Sequence, residues 1–503
     1  MCIQNSKKRN ITSILATTVL SIFVLMVLLF CFKDGISGND FWWHIKVGEY
    51  ICDNNTIPTN DIFSWYGMEK NIQWTAHEWL ADVIFYFIFS LTGEMGMFIF
   101  SVVSAMSLIV LSYFQCKEFA KNNYLVSGLF FSLFAVITSL FFYGRPHIFS
   151  YFLLFAELKI LYDYIENPER KNIFFIPIIG VLWSNLHGGS SNMSYILCVV
   201  FLITGALKLD YGRIESVRLE RKYLLKLAII TVLTVLSIFI NPIGHKVFIY
   251  PYMSFADNIS MSVINEWHSP DAKEIGNLIL YFLPILVMSV GIITEKKKIQ
   301  LIDLEIMILF LFLFFRSARF IILWYISAIF YAFRYIPKSK LKTIQKKSEI
   351  VAICLSIIIF LVPIGISVKD TFKTYKEDSI ITEVMTEEEI SIVMCDSPSR
   401  LFNDYNLGEA LIFNNIPVFF DARADLYAQE HIMADGISLM FLEQANKNEK
   451  QRYVDIEALI DKYDFDAFLI IKTRPLYSYL ISYPNKYHCV FQNENIGYFK
   501  PIE

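Results

Sequence analysis

A chain of 503 residues with 55% hydrophobic and only 18% charged side chains is too apolar for a soluble globular protein. Its net charge of −4 hides a segregation, because basic residues stand between the apolar runs while half of the acids lie in the last third. That pattern excludes a basic surface for nucleic acid. The eight cysteines are scattered without CxxC or other metal-ligand spacing and read as small apolar residues, so no metal site is assigned from them.

Lys7, Lys8 and Arg9 precede an apolar run from Ile11 to Phe32, with no small-residue cleavage pattern behind it. This predicts an uncleaved first span with a cytoplasmic N-terminus. A polar and aromatic stretch follows, opening Gly38-Asn39-Asp40-Phe41-Trp42-Trp43-His44 and closing Trp74-Thr75-Ala76-His77-Glu78-Trp79-Leu80. Trp79 to Leu91 is apolar but only about thirteen residues long, which suits a re-entrant or interfacial helix better than a span. Further runs long enough to cross a bilayer are Met95 to Phe114, Tyr124 to Phe142, Ile148 to Tyr164, Ile173 to Leu186, Met193 to Leu207, Leu225 to Ile240, Leu278 to Ile293, Leu301 to Phe315, Phe320 to Phe333 and Ile350 to Val368.

Lysine and arginine arbitrate the topology. If Trp79 to Leu91 does not cross, every basic connection falls on the cytoplasmic side, including Lys208 to Lys226, Lys296 to Lys298 and Arg334 to Lys347. The opposite face then receives Asp40, His44, His77, Glu78, Arg145, His147, His187, His245, Glu266, His268, Arg316 and Arg319. The histidines took no part in the counting, yet six of the eight gather there. After Val368 the polarity becomes mixed, and short apolar runs at Ile392-Val393-Met394, Val418-Phe419-Phe420 and Ala467 to Ile471 alternate with helical stretches such as Asp455 to Tyr463. The expected fold is a polytopic α-helical membrane protein of about eleven transmembrane helices with a long first extracytoplasmic loop and a C-terminal soluble α/β domain. Residues 1–368 form the membrane domain, 33–94 its first loop and 369–503 an extracytoplasmic domain. The protein is placed in the plasma membrane.

Each candidate carries two readings. Asp40 is either an acid facing water at the membrane edge or a general base toward a hydroxyl, with Trp42 and Trp43 as interfacial anchors. His77 and Glu78 read as substrate-orienting groups or as metal ligands, the metal signal being weak because adjacent residues diverge on any regular element. Arg145 and the Arg316/Arg319 pair are snorkelling anchors or phosphate ligands, and their place on the face that the charge rule disfavours argues for phosphate. His187-Gly188-Gly189 marks a tight turn or a close approach of substrate. Glu266 and His268 lie in a connection from Asn241 to Asn277, too long for a bare turn. Asp421-Ala422-Arg423-Ala424-Asp425 reads as a structural ion pair or a ligand site at a strand end.

A first span, a long outer loop with an early aspartate, many helices with outer arginines and a C-terminal extracytoplasmic domain resemble the GT-C superfamily of polyprenyl-phosphate-sugar-dependent glycosyltransferases. That superfamily includes protein mannosyltransferases, aminoarabinose transferases and bacterial oligosaccharyltransferases. The resemblance implies a membrane enzyme that moves a sugar from a lipid-linked donor to a hydroxyl of a glycan, lipid or protein acceptor, among membrane lipids. It matches Asp40 to the first-loop catalytic acid, although the mannosyltransferases follow that acid with a Glu and Phe41 stands here. It sets Arg145, Arg316 and Arg319 against the lipid phosphate, and has His44, His77, Glu78, His147, His187, Glu266 and His268 frame the substrate. No cofactor is called for, and a divalent cation is left open. The competing classes are a flippase or transporter of lipid-linked intermediates and a non-catalytic scaffold for envelope assembly.

Overall fold

The computed structural model describes residues 41–119, 144–256, 267–271, 273, 275–295, 298–335, 385–427, 431–442 and 456–502. Asp40, Glu266 and the runs at 11–32, 124–142 and 350–368 lie outside them. The apolar runs that are described become helices. After α1 (Phe41–Asn54), α2 (Trp65–Lys70) and α3 (Trp79–Phe119) come α4 (His147–Glu166), α5 (Ile176–Leu186), α6 (Asn192–Ala206), α7 (Arg221–Ser237), α8 (His245–Ala256), α9 (Ile275–Glu295), α10 (Leu301–Arg316) and α11 (Ile321–Tyr331). Helix α8 arises inside the long 241–277 connection. Every residue of α11 is buried, as befits an all-apolar helix at the centre of a bundle. By length and composition Trp79–Gln115 and Gly188–Ala206 are sufficient to cross a membrane.

Helix α3 is two limbs. Gly93 sits at φ 62°, ψ −156°, a region that in practice only glycine enters. The Phe85 and Phe100 rings lie 5.9 Å apart, whereas a straight helix would separate them by about 22 Å. The chain therefore reverses at Gly93. The first limb returns against α1, where Phe41, Trp42 and Ile45 pack with Phe85 and Met97. Gly48 lets the two helices meet, since a Cβ there would fall 2.2 Å from the Asp82 carbonyl oxygen.

At the far end of α6 a small sheet pins two basic connections together. Strand β1 (Asp210–Tyr211) pairs antiparallel with β2 (Ile214–Glu215), and β2 runs parallel to β3 (Ile299–Gln300). In the C-terminal region β4 (Leu401–Asn403), β5 (Ala467–Ile471), β6 (Tyr487–Gln492) and β7 (Ile496–Pro501) form a sheet of order β4-β5-β7-β6, parallel only between β4 and β5. Two expected apolar strands are absent. Ile392 to Met394 lies within helix α12 (Glu387–Asp396), because Thr386 and Glu389 close a capping box that starts a helix there. Val418 makes a single bridge to Ser64.

That bridge belongs to the contact that fixes the architecture. Trp43, Val47, Trp65, Ile72 and Trp74 of the first loop share one hydrophobic core with Phe402, Phe419, Phe420 and Phe468 of the C-terminal region. Trp42 and Trp43 are thus buried inside protein, at 6% and 7% exposure, and are not interfacial anchors. The Trp42 ring packs on Phe413 of α13 (Gly408–Phe413) and Trp43 on Trp74. Through the same core runs a fully buried ion network. Arg423 donates to Asp61 Oδ1 at 2.7 Å and to both oxygens of Asp421, at 2.9 and 2.7 Å, while its guanidinium lies over the rings of Trp74 and Phe63. The ion-pair reading of Asp421 and Arg423 is the observed one.

Replacing Arg423 with Ala leaves Asp61 and Asp421 buried without their cation, a loss of about 3–5 kcal/mol. Thermal unfolding of the detergent-solubilised protein should show it as a large drop in melting temperature, together with proteolytic release of the C-terminal region. Asp61→Asn, which keeps the Asp421 pair, should cost markedly less.

Candidate active site

The first loop, the α5–α6 turn and the start of α4 meet around one carboxylate. Glu78 is 9% exposed and stands in the turn just before α3. His187 Nε2 lies 3.2 Å from its Oε1, His77 Nε2 3.8 Å from the same oxygen, and His44 Nε2 3.8 Å from Oε2. His77 and Glu78 point the same way because they occupy an irregular turn, where the divergence expected of neighbours on a helix or strand does not apply.

The second nitrogen of each ring fixes what the first can do. His77 Nδ1 is 3.0 Å from the Thr75 carbonyl, which can only accept, so Nδ1 carries the proton. His44 Nδ1 is 2.6 Å from Asp82 Oδ1, across the contact that Gly48 permits. His187 Nδ1 faces the hydroxyls of Ser150 at 2.6 Å and Ser190 at 2.8 Å, both of which accept from Trp183 Nε1. A serine proton on Nδ1 leaves His187 Nε2–H to donate to Glu78, the orientation a carboxylate favours. Neutral His77 then turns an acceptor nitrogen toward Glu78, and His44 Nε2 stands at the same 3.8 Å, both beyond hydrogen-bonding distance of it. An incoming O–H or N–H group meets a carboxylate and the His77 lone pair at once.

Burial keeps these rings neutral. It lowers His77 to about 4, with the Arg319 charge adding to the effect and the Thr75 carbonyl opposing it. Burial also holds His44 and His187 well below the ordinary imidazole value, helped by Arg145 at His44 and by the neighbouring imidazoles and Arg319 at His187.

The remaining candidates sort by reach. His147 opens α4 within the fields of Arg145 and Arg319. Arg319 is exposed, lies over Trp267 at 4.5 Å from the ring centroid and acts electrostatically on His77, His147 and His187. Arg316 ends α10, half-buried. His268 is exposed and enters through its backbone, its carbonyl accepting from the Ala318 amide at 2.9 Å. Gly188 serves a close approach of backbone, since its amide donates to the His77 carbonyl at 3.0 Å and a Cβ would come within 2.8 Å of that oxygen.

Four contributors had escaped the sequence reading. Asp82 had a signal, an acid inside an apolar helix, and Ser150, Ser190 and Tyr250 had none, being ordinary residues until the fold sets them beside histidines. Tyr250 of α8 stacks on His77 with ring centroids 3.8 Å apart. Among the described residues no group of three or more His, Cys, Asp and Glu side chains is arranged to hold a metal ion. The divalent cation left open by the sequence has no assigned place there.

Proton linkage follows from these shifts. The folded protein binds fewer protons on His44, His77 and His187 than the unfolded chain does, so stability is full above the unfolded value of 6.5 and falls as pH drops toward 4. Asp425, raised to about 6 by burial, works the other way below that pH and offsets part of the loss. Melting temperatures between pH 7 and 5 should therefore decline in the unmodified protein, less steeply in His77→Gln and more steeply in Asp425→Asn.

No family model and no curated protein matches the chain. Among solved structures, the archaeal oligosaccharyltransferase AglB from Archaeoglobus fulgidus, in complex with an inhibitory peptide and a dolichol-phosphate, aligns with a TM-score of 0.57 at 12% identity, covering 92% of this chain and 70% of its own. A second structure of the Archaeoglobus fulgidus oligosaccharyltransferase, a complex with Zn and sulfate, aligns over 90% of this chain and 68% of its own, with a TM-score of 0.46 at 12% identity. At such identity the likeness is one of fold, and in fold this chain is similar to the archaeal oligosaccharyltransferase.

Proposed function

We propose that the protein is an integral-membrane glycosyltransferase that moves a sugar from a polyprenyl-phosphate donor to an acceptor on the extracytoplasmic face. The observation that carries this reading is the meeting at one end of the bundle of a buried carboxylate, three imidazoles and the charge of Arg319. Glycosyl transfer from a lipid phosphate needs a group that takes a proton from the acceptor and a cation that receives the phosphate, both flanking one anomeric carbon. The aligned oligosaccharyltransferase was solved with a peptide and a dolichol-phosphate, a ligand pair of the same chemical classes.

In this mechanism the prenyl tail lies among the helices and its phosphate rests against Arg319, with Arg145 and Arg316 nearby. The acceptor hydroxyl attacks the anomeric carbon, the bond from that carbon to the phosphate oxygen breaks, and the phosphate leaves with the electron pair. Arg319 neutralises the charge that develops there. The acceptor proton passes to Asp40, four residues before His44, while Glu78, His44, His77 and His187 orient the acceptor. His147, Glu266 and His268 line its approach. About eleven spans, a cytoplasmic N-terminus and a first α3 limb that stays on the outer side complete the topology. The transporter reading draws less support: Asp303 is answered locally by Tyr162, Tyr335 and Arg334, and Glu157 by Cys198.

Deleting the gene and profiling lipid extracts by mass spectrometry should reveal accumulation of one polyprenyl-phosphate sugar, and an unchanged profile would sink the assignment. With that donor in hand, Asp40→Asn should abolish transfer in a protein that still inserts and folds. Arg319→Ala should raise the donor KM by roughly 10- to 100-fold, the range for losing a charged hydrogen bond.

A further inference from the structure

One imidazole at the site lies between two carboxyl groups at the start of the same helix. The Asp82 amide donates to the Glu78 carbonyl at 3.0 Å, so the two acids stand one helical turn apart on one face. His44, from α1, reaches both: its Nδ1 is 2.6 Å from Asp82 Oδ1 and its Nε2 3.8 Å from Glu78 Oε2. The ring is held in that attitude by Trp43, whose centroid lies 3.6 Å from its own, and by Phe85, which meets it edge-on at 6.1 Å. Asp82 is fully buried, and its Oδ2 has no hydrogen-bond partner among the described residues. No described lysine or arginine pairs with it; the His44 imidazole is its polar neighbour.

Three placements of the protons are open to this pair. With Asp82 ionised and the proton on Nδ1, a buried carboxylate is left with one hydrogen bond and a bare second oxygen, and the Nε2 lone pair faces the Glu78 carboxylate. With an imidazolium beside the ionised Asp82, two further charges are buried, and burial together with the Arg145 charge opposes the cation. With the proton on Asp82, the carboxyl donates to Nδ1 and Nε2–H points at Glu78. Only the last arrangement adds no charge to that of Glu78 and turns a donor toward it.

We infer that Asp82 is a positioning residue that keeps its proton and donates a hydrogen bond to His44 Nδ1, so that His44 directs Nε2–H at Glu78. Glu78 is then faced by N–H groups from His187 and His44, while His77 turns a lone pair to it. The consequence for turnover, an ionised Glu78 fixed to orient the acceptor, rests on the glycosyl-transfer reading. The proton placement does not, because it is a statement about one ring.

The test reads the two ring nitrogens. The full chain, isotope-labelled at its histidine ring nitrogens, is placed in lipid bilayers at neutral pH and its nitrogen NMR spectrum recorded, the His44 signals being the pair lost in His44→Gln. Nδ1 should show the shift of an unprotonated nitrogen that accepts a hydrogen bond, and Nε2 that of a protonated one. Asp82→Asn, whose amide N–H can donate to Nδ1 as the carboxyl does, should keep this pattern. Asp82→Leu should move the Nδ1 signal to that of a lone pair without a donor. The inference is overturned if Nδ1 carries a proton in the unmodified protein, or if the Nδ1 signal stays in place in Asp82→Leu. Should the leucine variant fail to fold, the unmodified and asparagine spectra decide. Where turnover is measured, Asp82→Leu should lower kcat roughly tenfold, the factor for losing one hydrogen bond, with the donor KM unchanged and Asp82→Asn restoring the rate. The spectral pattern without any turnover of a lipid-linked sugar would count against the glycosyl-transfer reading and leave the proton placement standing.

Discussion

A carboxylate removed from water must be answered by its surroundings, and Glu78 is the constraint from which this end of the molecule is built. Its neighbours come from three segments: His77 beside it in the loop, His44 one helix earlier and His187 at the α5–α6 turn. None of these rings is free to turn, because each spends its second nitrogen on Thr75, Asp82 or the serine pair. The glycine at 48 and the glycine at 188 remove the side chains that would keep these segments apart. The result is a cluster whose geometry is fixed by packing.

Charge and burial act together on that geometry. Burial makes protonation of the three imidazoles costly, and the charges of two arginines add to that cost, so the rings remain neutral. Arg319 differs in being exposed, its guanidinium over the Trp267 ring. Base-like groups lie inside and the exposed cation lies outside them.

Much of this could be read from residue order. The hydrophobic period placed the helices from 148 to 333 close to where they form, and the count of basic residues grouped His44, His77, Glu78, His147 and His187 on one face before any contact was seen. What escaped the reading depends on distant partners. Trp42 and Trp43 look like interfacial anchors until Phe413 and Trp74 cover them, because burial by a segment several hundred residues away leaves no local mark. Ser150 and Ser190 acquire a role only through His187. Ile392 to Met394 looked like a strand because its apolar run was weighed without the Thr386 cap before it. Asp421 and Arg423 were legible as a pair, but not their third member, Asp61.

The separation between Asp61 and Arg423 also sets a schedule. They stand 362 residues apart, a distance a ribosome covers in roughly 20–70 s. For all that time the loop holding His77 and Glu78 has already been made while the strands that clamp it have not. The helices can insert and pack, yet the loop's tryptophans have no hydrophobic partner and Asp61 has no cation. Assembly of the bundle and assembly of the core beneath the first loop are therefore separate events, the second waiting until the last-made third of the chain folds back onto its first.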